Sequence, residues 1–270
     1  MNAAVKPIAV DLDHVGTIVR DLDRAQEAFL KLGFQLTARS YHMASPAPGA
    51  PLEPLGSGNH CAMLRQGYLE VMANTHPTKA SVAVAMLERY EGAHIVAFRP
   101  ESSATVQSRL IDRGQPVDAL RILERTTPYG PDGKESRPVI FHSYRFTTSV
   151  FTQAQFVYID HPTRDVMWQP HLLEHPNGAI ALNSVQLCSA DAAATARKFV
   201  PLFGLEPANV VPGEFEFRFA HSSMLVLSPE AWLARVPAAP LPPLPAPVGF
   251  TVGTTSLRQT QDVLERNGIA

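Results

Sequence analysis

The chemical signal in this chain is a set of histidines on or beside short apolar, β-branched segments. His14 stands in LDHVGTIV, His60 in GNHCAML, His94 in HIVAF and His161 at the end of FVYIDH. Carboxylates occupy similar settings, with Glu70 in GYLEVMA and Asp160 beside His161. Imidazoles and carboxylates converging from separate strands, with a coordination position left open, can hold a divalent cation that polarises a substrate oxygen. Strand alternation lets only one of Asp160 and His161 reach a given face. Each residue also has a purely structural reading. A strand histidine is more often a satisfied core or surface residue than a ligand. His161 could cap the turn into Pro162, and Glu70 could be the solvent-facing member of an alternating pattern. Its same-face neighbours Tyr68 and Met72 are largely apolar, which favours a lined cavity.

Other chemistries lack their residues. Two cysteines, Cys61 and Cys188, make neither a disulfide framework nor a thiolate zinc site. His171 and His175 have i, i+4 spacing, but only Glu174 and two leucines lie between them and Pro176 follows, so no separate zinc site is expected there. GSGN (Gly56 to Asn59) lacks the lysine and the strand-to-helix setting of a phosphate loop, and no Gly-x-Ser-x-Gly elbow occurs. HSSM near His221 reads as a turn, and Trp168 and Trp232 as core or rim residues. The net charge of −2 comes with no basic stripe, which argues against a nucleic-acid surface. No apolar run approaches the roughly 20 residues of a bilayer span. Asp11, Asp13 and His14 interrupt the first hydrophobic stretch, so no leader pattern is visible. With 45% hydrophobic and 18% charged residues, the chain reads as a folded cytoplasmic protein.

What must position these residues is a repeated unit. From Asp13 to Phe34 a strand candidate is followed by an acidic helix start at Asp21 and Asp23. Leu22, Ala25, Phe29 and Leu32 then form one apolar helical face, closed by Gly33. The pattern returns from His94 to Gly114, from Leu182 to Gly204 and from Gly249 to Gly268. The first three copies are followed by further strand candidates, so each fits a β-α-β-β-β module. Its helix covers one face of a small sheet and leaves the other needing a partner. The fourth copy stops after its helix. Before it, Pro237 to Pro247 holds six prolines and reads as a stiff connector. Ala44 to Gly58 reads as a long loop.

The modules, the LDH opening (Leu12 to His14), the YLE strand (Tyr68 to Glu70) and the HPNGA segment (His175 to Ala179) resemble the vicinal oxygen chelate superfamily, and within it the glyoxalase-like domain family. The resemblance runs from about residue 9 to residue 230. It implies an α+β fold in which βαβββ modules pair into cup-shaped barrels around a divalent metal. The cup would comprise residues 1–176, with 177–270 holding the third module and part of a fourth. Matched to the family's ligand positions, His14, Glu70 and His161 are the expected metal set, for Zn, Fe, Mn or Ni. His94 falls one residue out of alignment with His14. His60, Tyr68 and Tyr158 are the expected substrate contacts, and Glu70 is also a potential base. Ser184 stands where His14 does in the first module, and no carboxylate matches Glu70, so the second half has lost the set. The implied activity is that of an isomerase, lyase or dioxygenase on a small substrate chelated through neighbouring oxygens. The alternative is a metal-free protein that sequesters a small molecule. The incomplete fourth module suggests a homodimer.

Overall fold

A computed structural model describes residues 8–44, 50–147 and 149–269. Strand β1 (Ala9–Ile18) leads into helix α1 (Leu22–Lys31). The helix starts where the Asp21 side chain accepts from the backbone N–H groups of Asp23 and Arg24. It ends at Gly33, whose φ of +83° is open to glycine; a Cβ there would also lie 2.6 Å from Val263. Strands β2 (Ser40–Ala44), β3 (Glu53–Met63) and β4 (Tyr68–Asn74) complete the first module. The stretch read as a loop from Ala44 is therefore strand from Glu53 onward, while 45–49 lie outside the described residues.

A short helix, α2 (Val82–Leu87), connects to the second module. That module has β5 (Gly92–Pro100), α3 (Ser103–Asp112), β6 (Arg121–Tyr129), β7 (Glu135–Arg145) and β8 (Gln155–Asp160). One helical turn, α4 (Arg164–Met167), and a 3-10 turn lead to the third module. The third comprises β9 (Ala179–Cys188), α5 (Ala192–Phe203), β10 (Ala208–Val211), β11 (Glu214–Arg218), β12 (Ser223–Leu227) and α6 (Pro229–Arg235). The fourth contributes only β13 (Ala246–Thr254) and α7 (Leu257–Arg266). The strand begins inside the proline-rich connector, at its last two residues.

Eight strands form one curled sheet in the order β2-β3-β4-β1-β5-β8-β7-β6. At its centre the opening strands β1 and β5 run antiparallel, and each lies parallel to the last strand of its own module. This is the α+β arrangement of two βαβββ modules paired into a cup. Five strands form a second sheet, β10-β11-β12-β9-β13, which repeats one module and the start of another. The outer face of the first sheet and the helical layer of the second share one apolar core. Phe98 lies 4.7 Å from Phe203, and Phe156 lies 4.9 Å from Phe199, ring centre to ring centre. Each fully buried phenylalanine there stabilises the packing by about 1.5–3 kcal/mol. Among the described residues no helix is long and apolar enough to cross a membrane.

Candidate active site

Alternation sorts the strands of the cup into two faces. On β4, Leu69 and Val71 face the helices, while Tyr68, Glu70 and Met72 face the hollow. On β1, His14 and Gly16 share that inner face; a Cβ on Gly16 would come within 3.1 Å of Glu70 Oε2. Glycine is thus required where the Glu70 carboxylate leans across β1 toward His14. His14 Nε2 lies 4.0 Å from Glu70 Oε2, and Tyr68 stacks on the His14 ring at 4.3 Å.

The outer ring of contacts fixes both groups. His14 Nδ1 is 2.8 Å from Asp13 Oδ1, so the imidazole donates there and leaves Nε2 for the hollow. Asn59 donates from Nδ2 to Glu70 Oε1 at 2.5 Å and is itself oriented by the Ser40 hydroxyl. His42 Nε2 lies 3.5 Å from the same carboxylate oxygen, and its Nδ1 is 2.8 Å from Ser57 Oγ. Burial alone would raise the Glu70 pKa. The His42 hydrogen bond and charge, the His14 charge and the Asn59 amide outweigh it and bring the carboxyl down to about 2. Asp13 likewise stays well below the ordinary carboxylate range, because His161 and His14 outweigh its burial. Cys61, opposite Glu70 on β3, has its thiol pushed up by burial and by the Glu70 charge, which makes it a neutral wall residue.

The expected residues separate into three groups. His14, Glu70 and Tyr68 come together on the inner face. His161 reaches the same face, but its Nε2 is 3.1 Å from Asp13 Oδ2, and its buried Nδ1 has no partner among the described residues. It joins the site through Asp13 and not beside Glu70. His60 and Tyr158 lie on the opposite faces of their strands. His60 pairs with Val71, and its Nδ1 meets the Thr37 carbonyl at 2.9 Å. Tyr158 is fully buried in the shared core, where its hydroxyl donates to the Leu202 carbonyl at 2.9 Å. Neither lines the hollow. His94 also turns away, stacking on Tyr90 at 3.9 Å.

The structure adds Asp13, His42, Asn59 and Arg125, which the sequence reading did not place in the site. Arg125 of β6 lies over the Phe141 ring at 5.7 Å, near Met167. Asn59 and not His60 faces Glu70 because β3 pairs Cys61 with Glu70. A one-residue change of hairpin register exchanges the two faces, and nothing in the sequence fixes that register.

The paired modules define a vicinal oxygen chelate fold, and the inner-face imidazole and carboxylate sit on its first and last strands. The glyoxalase-like domain profile matches residues 12–203, and the chain belongs to that family. Among solved structures, a hypothetical protein from Staphylococcus aureus is 11% identical over 82% of this chain and 86% of its own, with a TM-score of 0.62. A mutant of 4-hydroxymandelate synthase from Streptomyces coelicolor is 14% identical over 97% of this chain and 76% of its own, with a TM-score of 0.55. A xylose isomerase-like TIM barrel/4-hydroxyphenylpyruvate dioxygenase fusion protein is 10% identical over 98% of this chain and 40% of its own, at 0.57. These likenesses show the fold. No curated protein matches the chain.

The superfamily implies a divalent cation, and the donors can be tested against one. Two bonds of about 2.1 Å from a shared ion would span the 4.0 Å between His14 Nε2 and Glu70 Oε2. Asp13 gives His14 the carboxylate partner that metal-bound imidazoles ordinarily have. His42 Nε2 lies 3.2 Å from the Asn59 amide nitrogen and 3.5 Å from the other carboxylate oxygen, so it belongs to the hydrogen-bond set that holds Glu70. By strand register, Ile95 and Val157 occupy in module two the places of His14 and Glu70. Among the described residues no group of three or more His, Cys, Asp or Glu side chains is placed to hold a metal ion. His14 Nε2 and Glu70 Oε2 are the two donors that would hold such an ion.

Proposed function

We propose that the cup is the active site of a metal-dependent enzyme acting on a small molecule with two neighbouring oxygens. The observation that carries this reading is His14, held by Asp13, aimed at a charged Glu70 across 4.0 Å. His14 and Glu70 would hold the ion. A cation bound there supplies Lewis-acid polarisation of a substrate oxygen. The chain's own residues do the rest. Asp13 keeps the His14 proton on Nδ1, which leaves Nε2 as a donor pair. Asn59 and His42 keep Glu70 ionised, which suits it to hold a cation. Ile95, Ala97, Val157 and Ile159 form a dry opposite wall that strengthens electrostatic contacts with the substrate. Isomerase, lyase and dioxygenase chemistry all suit such a site.

The test is the metal content of the purified chain and of His14→Ala. About one divalent ion per chain, lost in the variant, supports the enzyme reading. A second reading is favoured by the same apolar wall: a metal-free cup that sequesters a small apolar compound. Absence of any ion, with ligand binding indifferent to His14→Ala, would select it.

A further inference from the structure

At the end of the cup where β1 begins and β5 and β8 finish, the inner rows end in charge. Ile95 and Ala97 are followed by Arg99, and Val157 and Ile159 by His161. A cavity of about 480 Å³ opens here, lined by Arg99, Arg164, His161, Asp160 and Glu101 among others. A smaller one of about 220 Å³ adjoins it and shares both arginines, with Asp13 in its wall. The cleft therefore meets the site at Asp13 and His161, the pair that holds His14 in place.

The charges around the cleft are unevenly used. Arg65 is paired with Glu174 at 3.1 Å. Asp160 accepts from the Ser103 N–H at 2.6 Å and lies 3.5 Å from His142. Arg99 reaches Asp11 only at 3.4 Å, and Asp11 also accepts from Gln66, His221 and Ser222. Arg164 is half-buried and pairs with no described carboxylate. Its guanidinium lies 3.5 Å over the Trp168 ring, and Trp168 is fixed in turn by donating to the Leu64 carbonyl at 2.9 Å. Burial pulls the Arg164 pKa below the ordinary value, with the Asp13 charge opposing and Arg99 adding to the fall. A rigid, partly desolvated fork of donors in no ion pair among the described residues, beside a second underused arginine, is suited to a planar oxyanion.

We propose that this cleft binds the carboxylate of the substrate, Arg164 gripping it through two N–H donors and Arg99 assisting. The cleft volume suits an acid of several carbons or one aromatic ring, with Val10 and Pro100 as apolar contacts. As a statement about substrate class, this rests on the reading of the cup as a small-molecule active site. The binding itself does not require the metal.

The test is calorimetric titration of the full chain, stripped of metal with chelator, with benzoate, benzamide and inorganic phosphate as probes. Benzoate should bind at least about tenfold more tightly than its uncharged amide. Arg164→Ala should weaken benzoate by about tenfold or more while leaving benzamide unchanged. Arg164→Lys, which keeps the charge and most of the stem, should recover only part of that loss and decides the matter if the alanine variant misfolds. His14→Ala should leave benzoate binding intact while losing the ion, so failure of the metal reading is read separately. Equal binding of benzoate and benzamide, or benzoate binding indifferent to both Arg164 variants, would overturn the proposal. So would phosphate binding more tightly than benzoate with the same dependence on Arg164.

Discussion

The two sheets are built on one pattern and filled differently. Matching β9 to β1 and β12 to β4 by register puts Ser184 in the place of His14 and Leu225 in the place of Glu70. Gln186 stands where Gly16 leaves room for the carboxylate, and its amide donates to Ser184 Oγ at 2.7 Å. The glycine is now on the partner strand, at Gly249, where a Cβ would come within 2.9 Å of Trp232. Trp232 covers this face, packed with Leu225, Leu227 and residues of the proline-rich connector. One backbone plan thus carries an imidazole and a carboxylate on the inner face in one half and an apolar plug in the other. The second wall of the cup shows the intermediate case, with Ile95 and Val157 in the two positions, packed with Met72 and Phe141. Position on the fold makes a donor pair possible; the side chains at two registers and one glycine decide whether it exists.

The largest effect should come from removing the plug. Trp232→Ala deletes a buried aromatic and should cost about 3–5 kcal/mol of stability by urea denaturation. Metal content should be unchanged, because the site lies in the other sheet; an equal loss of metal would show that the halves are not chemically distinct. Next, Asp13→Asn leaves a neutral partner for both His14 and His161. It should weaken the ion's binding about 10- to 100-fold, read by titration of stripped protein against a fluorescent chelator.

His175 sharpens the contrast between structural and chemical histidines. Its Nδ1 accepts from the Gln35 N–H at 2.9 Å, and its Nε2 meets the Met63 carbonyl at 2.8 Å, so the neutral ring ties the linker to β3 and to the chain after α1. His175→Ala should cost about 2 kcal/mol through two unsatisfied backbone groups and leave metal binding intact. Burial lowers the His175 pKa, with the Met63 carbonyl and the Glu174 charge opposing. The unfolded chain therefore takes up this proton first as pH falls through about 6.5. The His175 contribution is fully present above that pH and declines below it, so denaturation at pH 7.5 and 5.5 should differ more for wild type than for His175→Ala. Smallest of all, Ser184→Ala removes one neutral hydrogen bond in the second sheet. It should cost about 1 kcal/mol in the same denaturation assay, with no effect on metal.

Much of this was legible before any coordinates. Helix starts at Asp21 and Asp191, stops at Gly33 and Gly204, and the apolar stripes between them marked the repeat, because capping and periodicity are local properties. The loss of the set in the second half was legible for the same reason, since Ser184 could be aligned by helix caps alone. Faces and registers were not. The sequence does not distinguish His60 from Asn59 as the inner-face residue, because the β3–β4 pairing is set by tertiary packing. Tyr158 was expected near the substrate, yet the aromatic core it joins is built from α5, more than forty residues away in sequence. Strand β6 is largely exposed and its apolar residues Ile122 and Leu123 are adjacent, so its sequence carries no apolar alternation to reveal it. His42 lies on a five-residue strand next to undescribed chain, where periodicity has too few positions to register.

The most direct test is anomalous diffraction from crystals of the chain soaked in manganese or zinc. The account predicts a single strong peak within about 2.0–2.3 Å of both His14 Nε2 and a Glu70 carboxylate oxygen, absent from Glu70→Gln crystals. A peak bridging Asp13 and His161 instead, or none in the first sheet, would contradict it.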